Sequence, residues 1–332
     1  MIDPQSPWLF LGILVVFGVV VWWYYWKFQL MYNSSSLSLY TPDSFSITNS
    51  KKYHSLKNLG SEYAKTQTIV IAGMLRNARP RLPEIEKRVE RLGGLFRDYR
   101  VLIVENDSTD GTREYLLKWT SRNPRVTVLG CGRNAPECKL NLKSTEGHSV
   151  YRSRIEKMAY LRNLYLGEVQ QTLSDFDYLA VWDMDIIGSV YLDGVANTMG
   201  YLKEEPELDA MCAYGIYQWG PLKLYYDTYA TIERGDNFHV DSKTIHDLEK
   251  GLGMQFQRGQ SPQQVVSCFS GFTLYRVPAV LHPEVYYDTT PKDDPTGNLE
   301  CEHVVFHKKM ASVGHDKMKM NPSMIHLVIL ND

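Results

Sequence analysis

Short apolar runs rich in β-branched residues alternate with helical patterns along most of this chain, and that alternation limits the folds it can adopt. The predicted strands are Thr68 to Leu75, Arg100 to Val104, Arg125 to Leu129 and Tyr178 to Trp182. Apolar residues at helical spacing separate them, over Pro83 to Phe96, around Tyr115 to Trp119 and over Val150 to Leu173. Strands joined by crossover helices predict an α/β fold with a mostly parallel sheet flanked by helices.

Polar clusters directly follow three of the predicted strands. They are Arg76-Asn77, Glu105-Asn106-Asp107 and Asp183-Met184-Asp185. Ligands of open α/β sheets bind beyond the carboxyl ends of the strands, so these clusters predict one shared ligand site. A formal net charge of -2 removes the electrostatic case for general nucleic-acid binding.

Asp183 and Asp185 are the strongest candidate metal ligands. Two carboxylates one residue apart at the end of a buried strand can reach one hard cation, and Mg²⁺ or Mn²⁺ takes oxygen ligands while leaving positions for substrate phosphates. The alternative is that Asp185 caps the amino terminus of the next helix.

The turn of Glu105, Asn106 and Asp107 is predicted to contact a nucleoside, through a base edge or ribose hydroxyls. The alternative is an Asx-type turn that caps the following helix. Arg154 and Lys157 lie three residues apart on one predicted helix face, with Arg162 further along. With Arg76, these cations suit a bound diphosphate; a solvated, paired helix face is the alternative.

Candidates in the carboxyl-terminal half are weaker. Glu302 could position or deprotonate an acceptor hydroxyl, or simply favour the start of its helix. His326 could complete the metal shell, with His315 as its rival and a structural histidine as the alternative. Trp219 and Asp227 offer stacking and hydrogen bonding to an acceptor sugar.

An uncharged stretch from Trp8 to Trp26 predicts a transmembrane helix, about as long as a bilayer core requires. It divides the chain into a tail (1–7), the span (8–26), a stem (27–60) and a soluble domain (61–332). Lys27 follows the span and no Lys or Arg precedes it, which weakly favours a cytoplasmic domain. Cys131 and Cys138 bracket a short loop and could pair, or remain buried thiols.

The segments VIAGMLRN, VLIVENDSTDGT, YRSRIEKMAYLRN, VWDMDI, SCFSGFTLYR and CEHVVFHKKM resemble, in order, those of GT-A-fold glycosyltransferases. Closest is the fungal capsule-associated α-1,3-mannosyltransferase-like group, glycosyltransferase family 69. The resemblance implies a type II membrane protein with a lumenal domain in the Golgi or endoplasmic reticulum, and retention of anomeric configuration. It implies Asp185 as chief metal ligand, Asp183 on ribose or metal, and the turn of Glu105 near the nucleoside.

The function predicted is metal-dependent transfer of a sugar, with mannose suggested by the resemblance, from a GDP- or UDP-sugar to a hydroxyl of a glycan or glycoconjugate. Asp185 and Glu302 are its predicted catalytic residues. One rival is a nucleotidyltransferase that makes sugar nucleotides, although the single glycine of GMLRNARP is poor in the glycines such loops use. The other rival is a catalytically silent protein that uses the fold to hold a partner.

Overall fold

A computed structural model describes residues 14–24, 45–142, 151–186, 188–219, 222–235, 245–293 and 299–328. Of residues 218, 219, 222 and 245–248 it describes the backbone alone. The helices are α1 Ser50–Ala64, α2 Leu82–Gly93, α3 Thr112–Arg122, α4 Arg152–Thr172, α5 Leu192–Glu204, α6 Ile245–Gly253 and α7 Glu302–Ser312. A 3₁₀ turn, Arg79–Arg81, leads into α2.

The strands form one twisted sheet. They are β1 Thr68–Leu75, β2 Asp98–Glu105, β3 Val126–Leu129, β4 Tyr178–Trp182, β5 Ala210–Trp219, β6 Leu222–Tyr225, β7 Ile232–Glu233, β8 Gln263–Ser267, β9 Phe272–Arg276 and β10 Met318–Val328. Their order is β3-β2-β1-β4-β9-β5-β10-β8-β7, with β6 paired to β5. The α/β class predicted from the sequence is confirmed.

The sheet is mixed, so the prediction of a mostly parallel sheet is wrong. Strands β3, β2, β1 and β4 are parallel, as the crossover helices require. β9 then lies antiparallel between β4 and β5, and β6 returns antiparallel along β5. Only residues 220 and 221 separate β5 from β6, and so short a connection cannot make the crossover that parallel strands need.

Apolar layers cover both faces of the sheet. In β1, Val70 and Ala72 join one buried cluster, whereas Ile69 and Ile71 join the other. All five residues of β4 are buried, because helices cover the central strands on both sides. The parallel register brings the carboxyl ends of β1, β2 and β4 to one edge, where their polar clusters meet.

Helix α1 packs closely on α5, and glycines make this possible. A Cβ at Gly60 would lie 1.8 Å from the carbonyl oxygen of Ala196, and one at Gly200 would lie 2.2 Å from that of Leu56. Tyr53 and Leu56 are buried in the same interface. The predicted stem boundary at residue 60 therefore falls inside a helix that packs on the domain.

The predicted membrane localisation needs correction. Part of the predicted span, residues 8–13 with Tyr25 and Trp26, lies outside the described residues, and residues 14–24 form a helix with exposed side chains. Within the described ranges, no helix has both the length and the apolar character to cross a membrane. This finding contradicts the expected single-pass protein of the Golgi or endoplasmic reticulum with a lumenal domain.

The α1–α5 contact predicts that Gly60→Ala lowers the free energy of unfolding by about 2 kcal/mol or more, because the added methyl overlaps backbone atoms that cannot move aside. Gly167→Ala in α4 is the matched control, since its Cβ would meet only Gln171 Nε2 at 3.9 Å. We expect that control to gain about 0.5 kcal/mol from reduced freedom of the unfolded chain. Urea unfolding of both variants measures the difference, and equal effects would contradict the close contact.

Candidate active site

A cleft of about 430 Å³ lies at the edge where β1, β2 and β4 end. Its walls come from the ends of those strands, from α4, from the segment after β6 and from the start of α7. It collects most of the site residues predicted from the sequence: Arg76, Asn106, Arg154, Lys157, Arg162, Asp183, Asp185, Asp227 and Glu302. The clusters that follow the first, second and fourth strands therefore do converge.

The two aspartates after β4 face the cleft because the residue between them does not. Met184 is buried and packs beside Gly73 of β1, where a Cβ would come within 2.9 Å of the methionine side chain. The backbone N–H of Asp183 donates to the Gly271 carbonyl oxygen at 2.9 Å. An apolar anchor between two acids thus presents both carboxylates on the same side.

Arg162 connects the acids that line one wall of the cleft, here called the acidic wall: Asp183, Asp185, Asp227 and Glu302. Its Nη2 lies 3.2 Å from Asp183 Oδ1 and its Nε lies 3.0 Å from Glu302 Oε1. The guanidinium is 5% exposed and stacks over Phe269 at 4.9 Å. The structure therefore places this arginine, predicted as a diphosphate ligand, in one buried ion pair with Glu302 and one half-buried pair with Asp183, because carboxylates in the cleft wall need a partner.

Carboxylates outnumber cations around Arg162, and the pKa values of the three aspartates rise. Burial, opposed by Arg162 and reinforced by Asp185, raises the pKa of Asp183 to about 6. Burial and the charge of Asp183 raise the pKa of Asp227 to about 7. Asp185 has an exposed carboxylate, yet the cleft walls withhold part of its hydration and raise its pKa, against the opposing charge of Arg81.

Cations line the same cleft. Arg76 extends from the end of β1, while Arg154 and Lys157 come from the first turns of α4. Partial burial lowers the pKa of Lys157, and the positive charges of Arg76 and Arg154 lower it further. Three cations close enough to affect one another form a site for an anion of more than one charge.

The turn after β2 divides into structural and ligand-facing residues. Glu105 is buried against Arg113, with Nη1 to Oε2 at 2.7 Å, and its Oε1 accepts the Ser108 N–H at 2.8 Å. Asp107 Oδ1 accepts the Leu140 N–H at 2.7 Å. Asn106 lines the cleft, and its buried Nδ2 has no hydrogen-bond partner within the described structure. Of the three predicted nucleoside contacts, the cleft therefore receives Asn106.

The two histidine candidates lie in different places. His326 is fully buried on β10, with Nδ1 2.8 Å from the Ser270 carbonyl oxygen and Nε2 lacking a partner in the described structure. His315 Nδ1 lies 2.6 Å from Asp209 Oδ1, before the amino end of β5 and away from the cleft. In the ranges that the structure covers, no three His, Cys, Asp or Glu residues are grouped as a preformed metal site.

Trp219 ends β5, and its side chain lies outside the described residues. Asp227 lines the cleft in a left-handed conformation (φ 75°), and its Oδ2 accepts the Ser270 N–H at 2.9 Å. Ser270 is also left-handed, with φ 54°. Such conformations are costly for residues other than glycine and are enriched at functional sites. Two strained turns thus meet where the acceptor was predicted to bind.

Sequence reasoning missed an aromatic part of the wall. His303 stacks on Phe269 with ring centroids 3.7 Å apart, and both line the cleft. Its two ring nitrogens are buried without partners in the described structure, and burial holds its pKa well below the usual value, so the ring is neutral. Phe269 could have been found from the glycine-containing SCFSGF turn, whereas His303 follows Glu302 in a helix with no signal of its own.

The structure also pairs four cysteines. Disulfides join Cys131 to Cys138, and Cys212 of β5 to Cys268 before β9. Cys301 is a buried free thiol in the cleft wall, and its Sγ lies 3.5 Å from Glu302 Oε2. The Cys131–Cys138 pairing is one of the two arrangements that the sequence left open.

An α/β sheet with a two-aspartate turn beside a cationic cleft has the parts of a glycosyltransferase. The sequence profile of the family described as Cryptococcal mannosyltransferase 1 matches residues 68–313, from β1 to the end of α7. The chain belongs to this family. The resemblance indicated by its sequence motifs is confirmed.

Solved structures show a more distant likeness. One is a mannosyltransferase, PcManGT from Pyrobaculum calidifontis with GDP-Man and Mn²⁺, at 12% identity and a TM-score of 0.46, over 85% of this chain and 66% of that one. Another is TarS 1–349 of S. aureus with UDP-GlcNAc, at 12% identity and a TM-score of 0.43, over 80% and 60%. This chain thus spans about two thirds or less of those chains. No curated protein sequence matches it.

The two ion pairs of Arg162 predict that Arg162→Met lowers the free energy of unfolding by about 3 kcal/mol or more, because Asp183 and Glu302 lose a buried cation. Arg154→Met, eight residues earlier on the same helix, is expected to change it by less than about 0.5 kcal/mol. Thermal unfolding compares the two. Similar losses in both variants would show that Arg162 has no special structural role.

The raised pKa of Asp227 predicts a pH-dependent gain from Asp227→Asn in metal-free buffer. Folding favours the protonated acid, so the wild type loses stability as pH rises towards and through about 7, whereas the amide does not titrate. The stability gain of the variant should be larger at pH 8 than at pH 5.5, by on the order of 1–2 kcal/mol. Exposed Asp175→Asn is the charge-matched control, and a pH-independent gain in Asp227→Asn would contradict the shift.

Proposed function

We propose that this glycosyltransferase moves mannose from a nucleoside diphosphate donor, with GDP-mannose as first candidate and a UDP-sugar as second, to a hydroxyl of a glycan or glycoconjugate. The observation that carries the proposal is that one cleft holds both kinds of charge. Asp183 and Asp185 line it together with the cations Arg76, Arg154 and Lys157. The family description supports mannose as the transferred sugar.

The acidic wall fits a divalent cation. Burial and mutual repulsion raise the pKa of Asp183, and a cation between the two aspartates would relieve that repulsion. Mg²⁺ and Mn²⁺ commonly take one or two protein carboxylates and complete their shells with phosphates and water, so a three-residue cluster is not required. His326 offers one unpartnered nitrogen as a further candidate ligand. When bound, the cation would act as a Lewis acid on the diphosphate leaving group.

The three cations of the cleft fit the negative charge of the donor's diphosphate that a metal ion would leave unneutralised. Arg76, Arg154 and Lys157 would pair with diphosphate oxygens and stabilise the negative charge that grows there as the bond to the sugar breaks. The unpartnered Nδ2 of Asn106 would donate to the nucleoside. Glu105 and Asp107 bond to neighbouring protein groups and fix the turn. They would therefore contribute to donor binding by positioning Asn106.

The sugar and acceptor would lie at the acidic end, near Glu302 and Asp227. With a pKa near 7, the Asp227 carboxyl can either donate or accept a hydrogen bond to a hydroxyl. Glu302 would orient the acceptor through the oxygens that Arg162 fixes in place. Trp219 remains a proposed acceptor contact at the end of β5.

The full chain incubated with Mn²⁺ and a panel of GDP- and UDP-sugars tests the proposal. We expect slow cleavage of GDP-mannose to GDP and mannose, reduced at least about 100-fold by Asp185→Asn, because the leaving diphosphate loses its cation. Asp175→Asn, an exposed acid, is the matched control and should retain full activity. Proton NMR of the first mannose anomer released tests the retention that the resemblance implies.

Other outcomes separate the rival functions. Release of pyrophosphate from a nucleoside triphosphate and sugar phosphate would indicate a nucleotidyltransferase. A folded chain that binds neither nucleotides nor Mn²⁺ would indicate a catalytically silent protein. Cleavage that persists unchanged in Asp185→Asn would contradict the assigned role of the two-aspartate turn.

A further inference from the structure

The loop that carries Asp185 is attached to β10 along one side. The Ser189 carbonyl oxygen accepts the Leu327 N–H at 3.0 Å, and the Tyr191 N–H donates to the Ile325 carbonyl oxygen at 2.9 Å. Val190 and His326 form the bridge between these bonds. A Cβ at Gly188 would lie 1.4 Å from the Leu327 carbonyl oxygen, so the loop approaches β10 as closely as a backbone can.

Two arginines also bind the backbone of this loop. Arg88 of α2 donates from Nη1 to the Gly188 carbonyl oxygen at 2.6 Å and lies 3.5 Å from that of Ile186. Arg81, at the end of the preceding 3₁₀ turn, donates to the carbonyl oxygen of Asp185 itself. Backbone oxygens on both sides of residue 187 are therefore bonded to side chains of one short segment.

The side chain of Arg88 is held in place by burial and by an ion pair. Its side chain is 11% exposed, and its Nε pairs with Glu84 Oε1 one helical turn earlier, at 3.1 Å. A guanidinium has a planar fork of donors, so one edge can bind the carboxylate while other N–H groups reach the loop carbonyls. A lysine at the same position has three donors on one compact nitrogen and lacks this fork, so it would hold the Glu84 carboxylate and the loop carbonyls together less well.

We propose that Arg81 and Arg88 are positioning residues that hold the Asp185 carboxylate in the geometry needed to bind a divalent cation together with a nucleoside diphosphate. The inference rests on the proposed function and adds to it the part of the chain that sets metal affinity. Partners that fix a ligand's orientation commonly contribute about 10- to 100-fold to metal affinity. The two arginines bond to backbone oxygens, so their favourable effect is on the position of Asp185, and it must exceed the repulsion between the Arg81 charge and a bound cation.

Titration of Mn²⁺ into the full chain with saturating GDP, followed by the EPR signal of free Mn²⁺, tests the proposal without any turnover. We expect Arg88→Met to weaken Mn²⁺ binding about 10- to 100-fold and Arg88→Lys to recover part of that loss. The affinity for GDP in EDTA should stay within about twofold of wild type, because the cations that face the diphosphate are unchanged.

Arg91→Met is the matched control, since Arg91 lies on the exposed face of the same helix. Arg81→Met is a second test in case Arg88→Met unfolds. Loss of its positive charge near Asp185 would by itself favour Mn²⁺, so weaker Mn²⁺ binding in this variant supports the positioning role, whereas unchanged or tighter binding would contradict it. Mn²⁺ affinity equal to wild type in folded Arg88→Met would overturn the proposal, and so would an equal loss in Arg91→Met. A wild-type chain that binds GDP but no Mn²⁺ would overturn the metal assignment and this inference together, leaving the nucleotide site intact.

Discussion

The buried guanidinium of Arg162 is the interaction on which the cleft depends. It lies between Asp183 at the end of β4 and Glu302 at the start of α7, two residues far apart in the chain. Without it, two carboxylates would share a wall from which much of the water is excluded, at a cost of several kcal/mol. With it, Asp183 and Glu302 are paired. Arg162 makes no ion pair with Asp185 or Asp227, whose carboxyl groups we propose for a cation and for hydroxyl groups.

The cleft combines opposite charges. Asp183, Asp185 and Asp227 come from turns that follow strands, whereas Arg76, Arg154 and Lys157 come from the end of β1 and the first turns of α4. A nucleoside diphosphate sugar also has two parts of different charge. Its diphosphate is anionic, and its sugar is neutral but develops positive character as the bond to the diphosphate breaks. A preorganised site of this kind stabilises both changes without having to reorganise during the reaction.

The strands at the centre of the fold were predictable because they are buried on both faces. Continuous apolar runs such as Tyr178 to Trp182 can be recognised without knowing their neighbours. The mixed half of the sheet could not be predicted in this way. β9 lies between β4 and β5 although it comes long after both in the chain, and neither propensity nor spacing encodes that order.

The same distinction between local and tertiary information applies to the candidate site. The residue types at the strand ends indicated the cleft, but spacing along α4 could not distinguish Arg162, whose side chain is buried and paired with two carboxylates, from Arg154, which lines the cleft with no such pair among the described residues. Likewise, Glu105 gives no local sign of its partner Arg113 on the next helix. The left-handed turns at Asp227 and Ser270 depend on tertiary contacts and were invisible in the sequence. Local sequence therefore predicted which residue types line the cleft, but not which side chains form ion pairs with one another.

The central claim is that one cleft binds a divalent cation and a nucleoside diphosphate together. Anomalous diffraction from crystals grown with Mn²⁺ and GDP tests it most directly. We predict one strong manganese peak between the carboxylates of Asp183 and Asp185, with the diphosphate bridging it to Arg76, Arg154 and Lys157. GDP bound in the cleft without a peak at the aspartates, or a peak at any other site, would contradict the account.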